Sequence, residues 1–394
     1  MIHYKRRHRP LRIGIDATGF HGPTTGIENY IICIIQGLLQ IDKVNEYIIY
    51  WRNEIPQEVT HQTKNVRFEV VTFLNRKLFQ QIRIPVLSIK DRLDVLLFPG
   101  NTLSLICFCP VVLTIHDLFP LVINAHMPKY HRNRVIGKLN GYYWKFINRA
   151  GCKIADRLIS VSESTKHDLM KICLVPEKKI SVIHEGVSEI YKRINDPKLI
   201  KDFKNKYGIN YDYFLCVGTG PYKNLQGSLM SLYYLKRDGI RIKLIITGPK
   251  TRVRNDVFKL IKKLEIEEDV IFTGFFPQED MVFLYNLAKV LLFPSYYEGF
   301  GVPILEAFAC GTPVIAANVG SLPEVAGNAA ILVDPYDPEE MAFHLKRILS
   351  DQNLRNRMVE KGQIQVKRFS WNEVAKTTLK VLEDVGYESE NYNG

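Results

Sequence analysis

The sequence predicts an α/β protein built as two Rossmann-like domains facing each other across a cleft, and three observations carry that expectation. The chain has 394 residues, which suits two domains of about two hundred residues each. Short apolar runs alternate with longer amphipathic ones, the pattern of parallel strands joined by helical crossovers. The alternation stops near Ile190 and then begins again.

In the first half, residues 11–17, 47–51, 66–73, 95–98, 111–116 and 157–162 read as strands, most of them apolar throughout, as strands covered on both faces should be. Residues 26–40 read as a helix, and residues 130–154 as a long helical stretch. Residues 191–212 are polar and turn-rich and read as a linker. Strands then follow at 213–219, 243–247, 270–273, 290–293 and 313–316, separated by helices at 225–237, 254–264, 279–288 and 302–310. Helices at 338–350, 353–366 and 371–385 close the pattern. The expected division is residues 1–190 plus a returning helix at about 371–388 for the first domain, and 191–370 for the second.

Apolar residues make up 46% and charged residues 24% of the chain, the proportions of a globular protein. No run reaches the roughly eighteen apolar residues of a membrane span. The basic start, residues 1–10, leads directly into a strand-like run without an apolar signal region, so a cytoplasmic location is expected. The seven cysteines are scattered with no CxxC pair, and reduced thiols are the expectation. The net charge of +12 is uneven: residues 1–190 hold 26 Lys and Arg against 16 Asp and Glu. A basic half attracts phosphates or an anionic surface. Residues 127–153 hold Lys129, Arg132, Arg134, Lys138, Lys145, Arg149 and Lys153, no acid, and the interleaved aromatics Tyr130, Tyr142, Tyr143, Trp144 and Phe146. Such a stretch suits the anionic face of a membrane. No nucleic-acid-binding signature is present, and none is expected as a partner.

The most specific segment runs from Phe293 to Ala307. A strand ends at Phe293, a loop with Glu298, Gly299 and Gly301 follows, and a helix begins near Val302 with Pro303 in its first turn, where a missing N–H is harmless. Backbone N–H groups from Gly299 through Phe300, Gly301 and Val302, with the positive end of the helix dipole, make an anion site. Glu298 stands in the loop, and Glu306 lies eight residues on, about one turn into the helix. Elsewhere, His116 ends a strand and precedes Asp117; strand C-termini line the ligand crevice of open parallel sheets. The loop after the first strand holds Gly22, Thr25 and Gly26, where a phosphate or acceptor can approach closely. It lacks GxGxxG, which disfavours a dinucleotide enzyme. No DxD and no His/Asp cluster of ligand spacing occurs.

These segments resemble the E-x7-E motif and surroundings of the retaining GT-B glycosyltransferases of family 4. The likeness continues through Cys-Gly-Thr-Pro-Val-Ile-Ala (310–316), Gly-Ser-Leu-Pro-Glu-Val (320–325), Leu-Val-Asp-Pro (332–335) and Phe-Thr-Gly-Phe (272–275). In the first half it takes in Thr-Gly-Ile-Glu-Asn-Tyr (25–30), Thr-Ile-His-Asp-Leu (114–118) and Ser-Val-Ser-Glu-Ser (160–164). The mannosyltransferase-like branch acting on bacterial surface glycans is the nearer likeness.

The resemblance implies that Glu298 contacts the donor sugar, that the amides of residues 299–301 meet its hydroxyls and β-phosphate, and that Glu306 holds the nucleotide ribose. It implies that Gly274 and Phe275 border the base, that Lys223 neutralises the pyrophosphate, and that His116 meets a hydroxyl of the transferred sugar. One departure stands out: the family arginine beside the lysine is missing, its candidate positions hold Thr219 and Tyr222, neither of which replaces the two-pronged phosphate clamp, and only Arg252 or Arg254, after the Gly248-Pro249 turn, stand as distant substitutes. The implied ligands are a GDP- or UDP-sugar and a glycan or lipid-linked acceptor, with no tightly bound cofactor and no metal. The implied reaction is hexosyl transfer, with mannose from GDP-mannose the first choice. Two other readings stay open here: a sugar-nucleotide epimerase on the same fold, and a non-catalytic sugar-nucleotide-binding partner of a glycan-assembly complex.

Overall fold

The computed structural model describes residues 9–20, 26–52, 54–60, 64–71, 79–126 and 138–393. The described chain forms two compact units. One contains the N-terminal sheet, ends its main run at Glu185, and regains the chain from Trp371 onward; the other contains Gly186–Ser370 and, of the described residues, also 122–126.

The first unit holds a seven-stranded, wholly parallel sheet. Its strands are β1 (Arg12–Asp16), β2 (Glu46–Trp51), β3 (Val66–Val70), β4 (Val95–Phe98), β5 (Val111–Ile115), β6 (Arg157–Ser160) and β7 (Ile180–Val182), in the spatial order 3-2-1-4-5-6-7. β4 and β5 are buried throughout, as apolar runs between helical layers must be. The helices are α1 (Gly26–Ile41), α2 (Ile84–Lys90), α3 (Phe119–His126), which belongs to this unit only as far as Leu121, α4 (Lys138–Ile154) and α5 (Glu163–Ile172). Tyr30, Ile31, Ile34, Ile35 and Leu38 make the buried stripe of α1, at the spacing that keeps one helix face on a core.

The second unit repeats the plan with β8 (Tyr213–Val217), β9 (Lys243–Thr247), β10 (Val270–Gly274), β11 (Val290–Phe293), β12 (Val314–Ala317) and β13 (Ile331–Val333), all parallel, in the order 10-9-8-11-12-13. Its helices are α6 (Pro197–Tyr207), α7 (Leu225–Arg237), α8 (Asn255–Lys263), α9 (Gln278–Leu287), α10 (Val302–Cys310), α11 (Leu322–Ala326), α12 (Pro338–Ser350) and α13 (Gln352–Gln365). The last helix, α14 (Trp371–Asn393), belongs to the first unit. Its Val374, Ala375, Leu382 and Val385 join the core of β1 and α1. Gly37 of α1 permits that approach, since a Cβ there would stand 2.8 Å from the Cβ of Ala375.

Several sequence expectations need correction. Residues 191–212 are not merely a linker, because α6 lies within them. Asp196 caps α6 by accepting from the N–H groups of Lys198 and Leu199, Pro197 opens it, and Gly208 ends it at φ +66°. Those start and stop signals stand in the sequence, but the polar composition between them masks the amphipathic face. The edge strands β7 and β13 and the helices α2 and α5 were also unforeseen; three-residue strands are too short to show a period. The long helix expected over 130–154 is described only from Lys138, residues 127–137 lying outside the described set. β5 stops at Ile115, which leaves His116 just beyond the strand.

Candidate functional site

In sheets of this winding, ligands bind beyond the strand C-termini where the strand order reverses. In the second unit that point lies between β8 and β11. The chain leaving β8 reaches Lys223 in a short turn, Pro221–Lys223, and the chain leaving β11 carries Glu298. The Lys223 Nζ and Glu298 Oε1 are 2.7 Å apart, with side chains only 12% and 13% exposed. The ammonium also sits 4.5 Å above the centre of the Phe293 ring. Burial pulls the Lys223 ammonium toward neutrality, but the charge of Glu298, that of Tyr222 and the hydrogen bond to Glu298 outweigh it, so its pKa is raised.

Two devices fix these loops. Asn224, in a left-handed conformation at φ +53°, accepts from the Gly227 N–H and donates to the carbonyls of Pro294 and Pro335. Its amide therefore ties the start of α7 to the loops after β11 and β13. Ser321 Oγ is placed against the carbonyls of Glu298 and Phe300, at 3.0 and 2.7 Å. Gly301 precedes α10 at φ +116°, and a Cβ there would come within 2.8 Å of Leu322 Cδ2. Only glycine suits that turn. No side chain caps α10, which leaves its N-terminus a place for an anion's oxygens.

Glu306 lies on the buried side of α10, 8% exposed. Tyr285 donates its hydroxyl to Oε2 at 2.5 Å, and Tyr191 bonds the same carboxyl. Burial raises the Glu306 pKa, while the two tyrosines and the charge of Lys223 hold it back. Glu306 thus shares its carboxylate with two tyrosines, which come from distant segments that the sequence did not flag.

The remaining candidates fall into place as follows. Thr219 is buried, and its hydroxyl donates to the Pro249 carbonyl at 3.0 Å. It knits the loops after β8 and β9 instead of presenting a hydroxyl. Gly274, at φ +74°, ends β10 and accepts from the Gly248 N–H at 2.7 Å, and Phe275 beside it is 56% exposed. Arg254 forms a two-pronged contact with Asp256, at 3.0 and 2.8 Å, and lines a small cavity with Thr219, Gly220 and Asn224. It underlies the loop that carries Lys223. Gly22 and Thr25 lie outside the described residues, and Gly26 opens α1.

His116 belongs to the first unit, beyond β5, and is buried. Its Nδ1 is 2.9 Å from Glu185 Oε1 and its Nε2 is 2.9 Å from the Pro99 carbonyl. Tyr30 packs edge-on against it at 4.6 Å. Burial lowers the His116 pKa, the hydrogen bond and charge of Glu185 raise it, and the balance is upward. Both ring nitrogens thus have protein partners. In the basic stretch, Phe146, Arg149, Lys153 and Ile154 of α4 are exposed, whereas Ile147 and Cys152 are buried. Among the described residues no helix is long and apolar enough to cross a membrane, and no cluster of His, Cys, Asp and Glu could hold a metal ion.

Comparison with known proteins agrees with this architecture. The family described as Glycosyltransferase Family 4 matches residues 24–189, and that described as Glycosyl transferases group 1 matches residues 200–365. The O-antigen chain mannosyltransferase B of Escherichia coli is 27% identical over 374 residues, covering 91% of this chain and 95% of that protein. Among solved structures, a glycosyltransferase of Rickettsia africae superimposes with a TM-score of 0.69 at 18% identity, covering 96% and 99% of the two chains. The Anabaena protein HepE, solved with UDP and glucose, gives 0.72 at 18% identity, covering 95% of this chain and all of that one. Two parallel-sheet units, a C-terminal helix returning to the first, and two family matches that together span most of the sequence have one common meaning: the chain belongs to glycosyltransferase family 4 and has the GT-B fold.

Proposed function

We propose that this glycosyltransferase is retaining and moves a hexose, with mannose from GDP-mannose the first choice, from a nucleotide sugar to a glycan or lipid-linked glycan in surface polysaccharide synthesis. The observation that carries the reading is the Lys223–Glu298 pair beside the uncapped start of α10, at the switch point of the second sheet. The leaving group is a nucleoside diphosphate, and charge builds on its oxygens as the glycosidic bond breaks. Lys223 and the first amides of α10 are the groups that would meet that charge. Glu298, released from Lys223 by the arriving phosphate, would turn to the hydroxyls of the sugar. Retention would then follow from displacement on one face of the sugar, with the departing phosphate taking the acceptor's proton. The first unit, with its basic sequence, takes the acceptor in this scheme. The exposed Phe146, Arg149 and Lys153 of α4 would rest against an anionic membrane surface carrying it.

The mannose assignment is supported by the name of the E. coli relative, and the use of a nucleotide sugar by the ligands of HepE. The test is a thermal-shift screen with UDP, GDP, ADP and their sugars, since a ligand of the folded state alone raises apparent stability. Stabilisation by one nucleotide, GDP by preference, supports the reading. No stabilisation by any nucleotide, or full transfer by Glu298→Ala, refutes it.

A further inference from the structure

The environment of His116 leads beyond this reading while resting on it. The Pro99 carbonyl can only accept, so Nε2 carries a hydrogen. Between Nδ1 and the Glu185 carboxyl, 2.9 Å apart, there is room for one further proton. Either the ring is a two-fold donor facing a carboxylate, or a neutral ring faces a carboxylic acid; the pair is neutral as a whole in both. The raised His116 pKa favours the first state. The titratable groups facing the pair do not compete for the proton. From α1, Tyr30 and Cys33 are both pushed up by burial first and by the charge of Glu185, Cys33 to about 12, so they stay neutral. Asp117, on the loop of His116 itself, adds a further negative charge that favours the charged ring.

The ring's two bonds span three segments. Pro99 leaves β4, His116 leaves β5, and Glu185 closes the main run of the first unit. The same junction is stitched by the His116 N–H, which donates to Asn101 Oδ1 at 2.7 Å. The strand order of the first sheet reverses between β1 and β4, so residues 99–101 border that unit's own ligand crevice. Both ring nitrogens are engaged by these protein groups.

We infer that Glu185 is a positioning residue for the transfer reaction: it holds the His116 ring as a two-fold donor, so that the ring pins the Pro99 carbonyl and fixes the loop leaving β4 at the crevice of the first unit.

The experiment uses the full chain and two readouts. The first is nitrogen-15 NMR of the histidine rings, with His116 assigned by its loss in His116→Gln. At neutral pH the wild type should show both ring nitrogens protonated, and Glu185→Gln should convert Nδ1 to an unprotonated nitrogen while Nε2 keeps its hydrogen. The second is GDP release from GDP-mannose with octyl α-mannoside as acceptor. Glu185→Gln should lower kcat by about tenfold to a hundredfold with little change in the KM for GDP-mannose, and Glu185→Asp should recover part of the loss.

An unprotonated ring nitrogen in the wild type, or wild-type kcat in Glu185→Gln, overturns the inference. The NMR arm needs no acceptor, so it decides even if octyl α-mannoside is refused. Nucleotide stabilisation, measured separately, tells failure of the donor reading from failure of this one: Glu185→Gln should still be stabilised by the nucleotide that stabilises the wild type.

Discussion

Lys223 and Glu298, brought from the ends of neighbouring strands, meet at 2.7 Å with almost no access to water. The pair has a cost in desolvation and a return in mutual attraction, and breaking it leaves one buried charge without compensation. Glu298→Gln or Lys223→Met alone should lower unfolding stability by about 3–5 kcal/mol. The double variant Lys223→Met/Glu298→Gln, which leaves no buried charge, should recover most of that. Denaturant unfolding of the four proteins as a double-mutant cycle measures the coupling, and additive effects would show that the contact contributes nothing.

Lys223→Met should also remove the donor's anchor. A nucleotide at about a hundred times its Kd stabilises a protein by about 2.7 kcal/mol, and this rise in Tm should disappear or shrink strongly in the variant. An undiminished rise would place the diphosphate elsewhere.

Glu306 gives a pH dependence of defined sign. Its pKa in the folded protein is raised above the ordinary 4.5, chiefly by burial. The native state therefore holds the proton more tightly than the unfolded chain. That contribution is complete below pH 4.5 and is lost as pH rises through the folded value. Glu306→Gln should be flatter over this range, gaining on the wild type as pH increases. Tyr285→Phe removes a hydrogen bond that restrains the shift and should steepen the wild-type loss. Chemical denaturation at a series of pH values checks both slopes.

Gly301→Ala should lower stability by about 1–3 kcal/mol, the usual range for a side chain held in a forbidden backbone region. The left-handed turn at φ +116° and the 2.8 Å approach to Leu322 act together. The start of α10 should shift with it, so nucleotide stabilisation should weaken more than in Gly26→Ala, where a Cβ meets nothing within 4 Å. Equal nucleotide shifts in the two variants would separate the helix start from the ligand.

What the sequence disclosed and what it withheld follow from the range of the interactions. The segment from Phe293 to Glu306 could be read because strand end, glycine turn and helix start are local and each has its own residue signature. Lys223 could be named from a short motif, but its contact with Glu298 spans 75 positions and arises only when β8 and β11 lie side by side. The same holds for Glu185, 69 positions from His116, and for Tyr285, 21 positions from Glu306. Nothing in the local pattern around Glu185 distinguishes it from a loop carboxylate. Helix α6 was legible at its ends and hidden in its middle, since only Phe203 among its residues is buried.

The return of α14 to the first sheet has a consequence for how the molecule is made. Val374, Ala375, Leu382 and Val385 fill a core otherwise built by β1 and α1. On the ribosome, the earliest half emerges with its apolar groove uncovered and stays so while all of Gly186–Ser370 is translated. Only then does the missing piece arrive. A fragment stopped at Glu185 would expose that groove and aggregate, whereas the Gly186–Ser370 piece, with its own sheet and core, should survive excision.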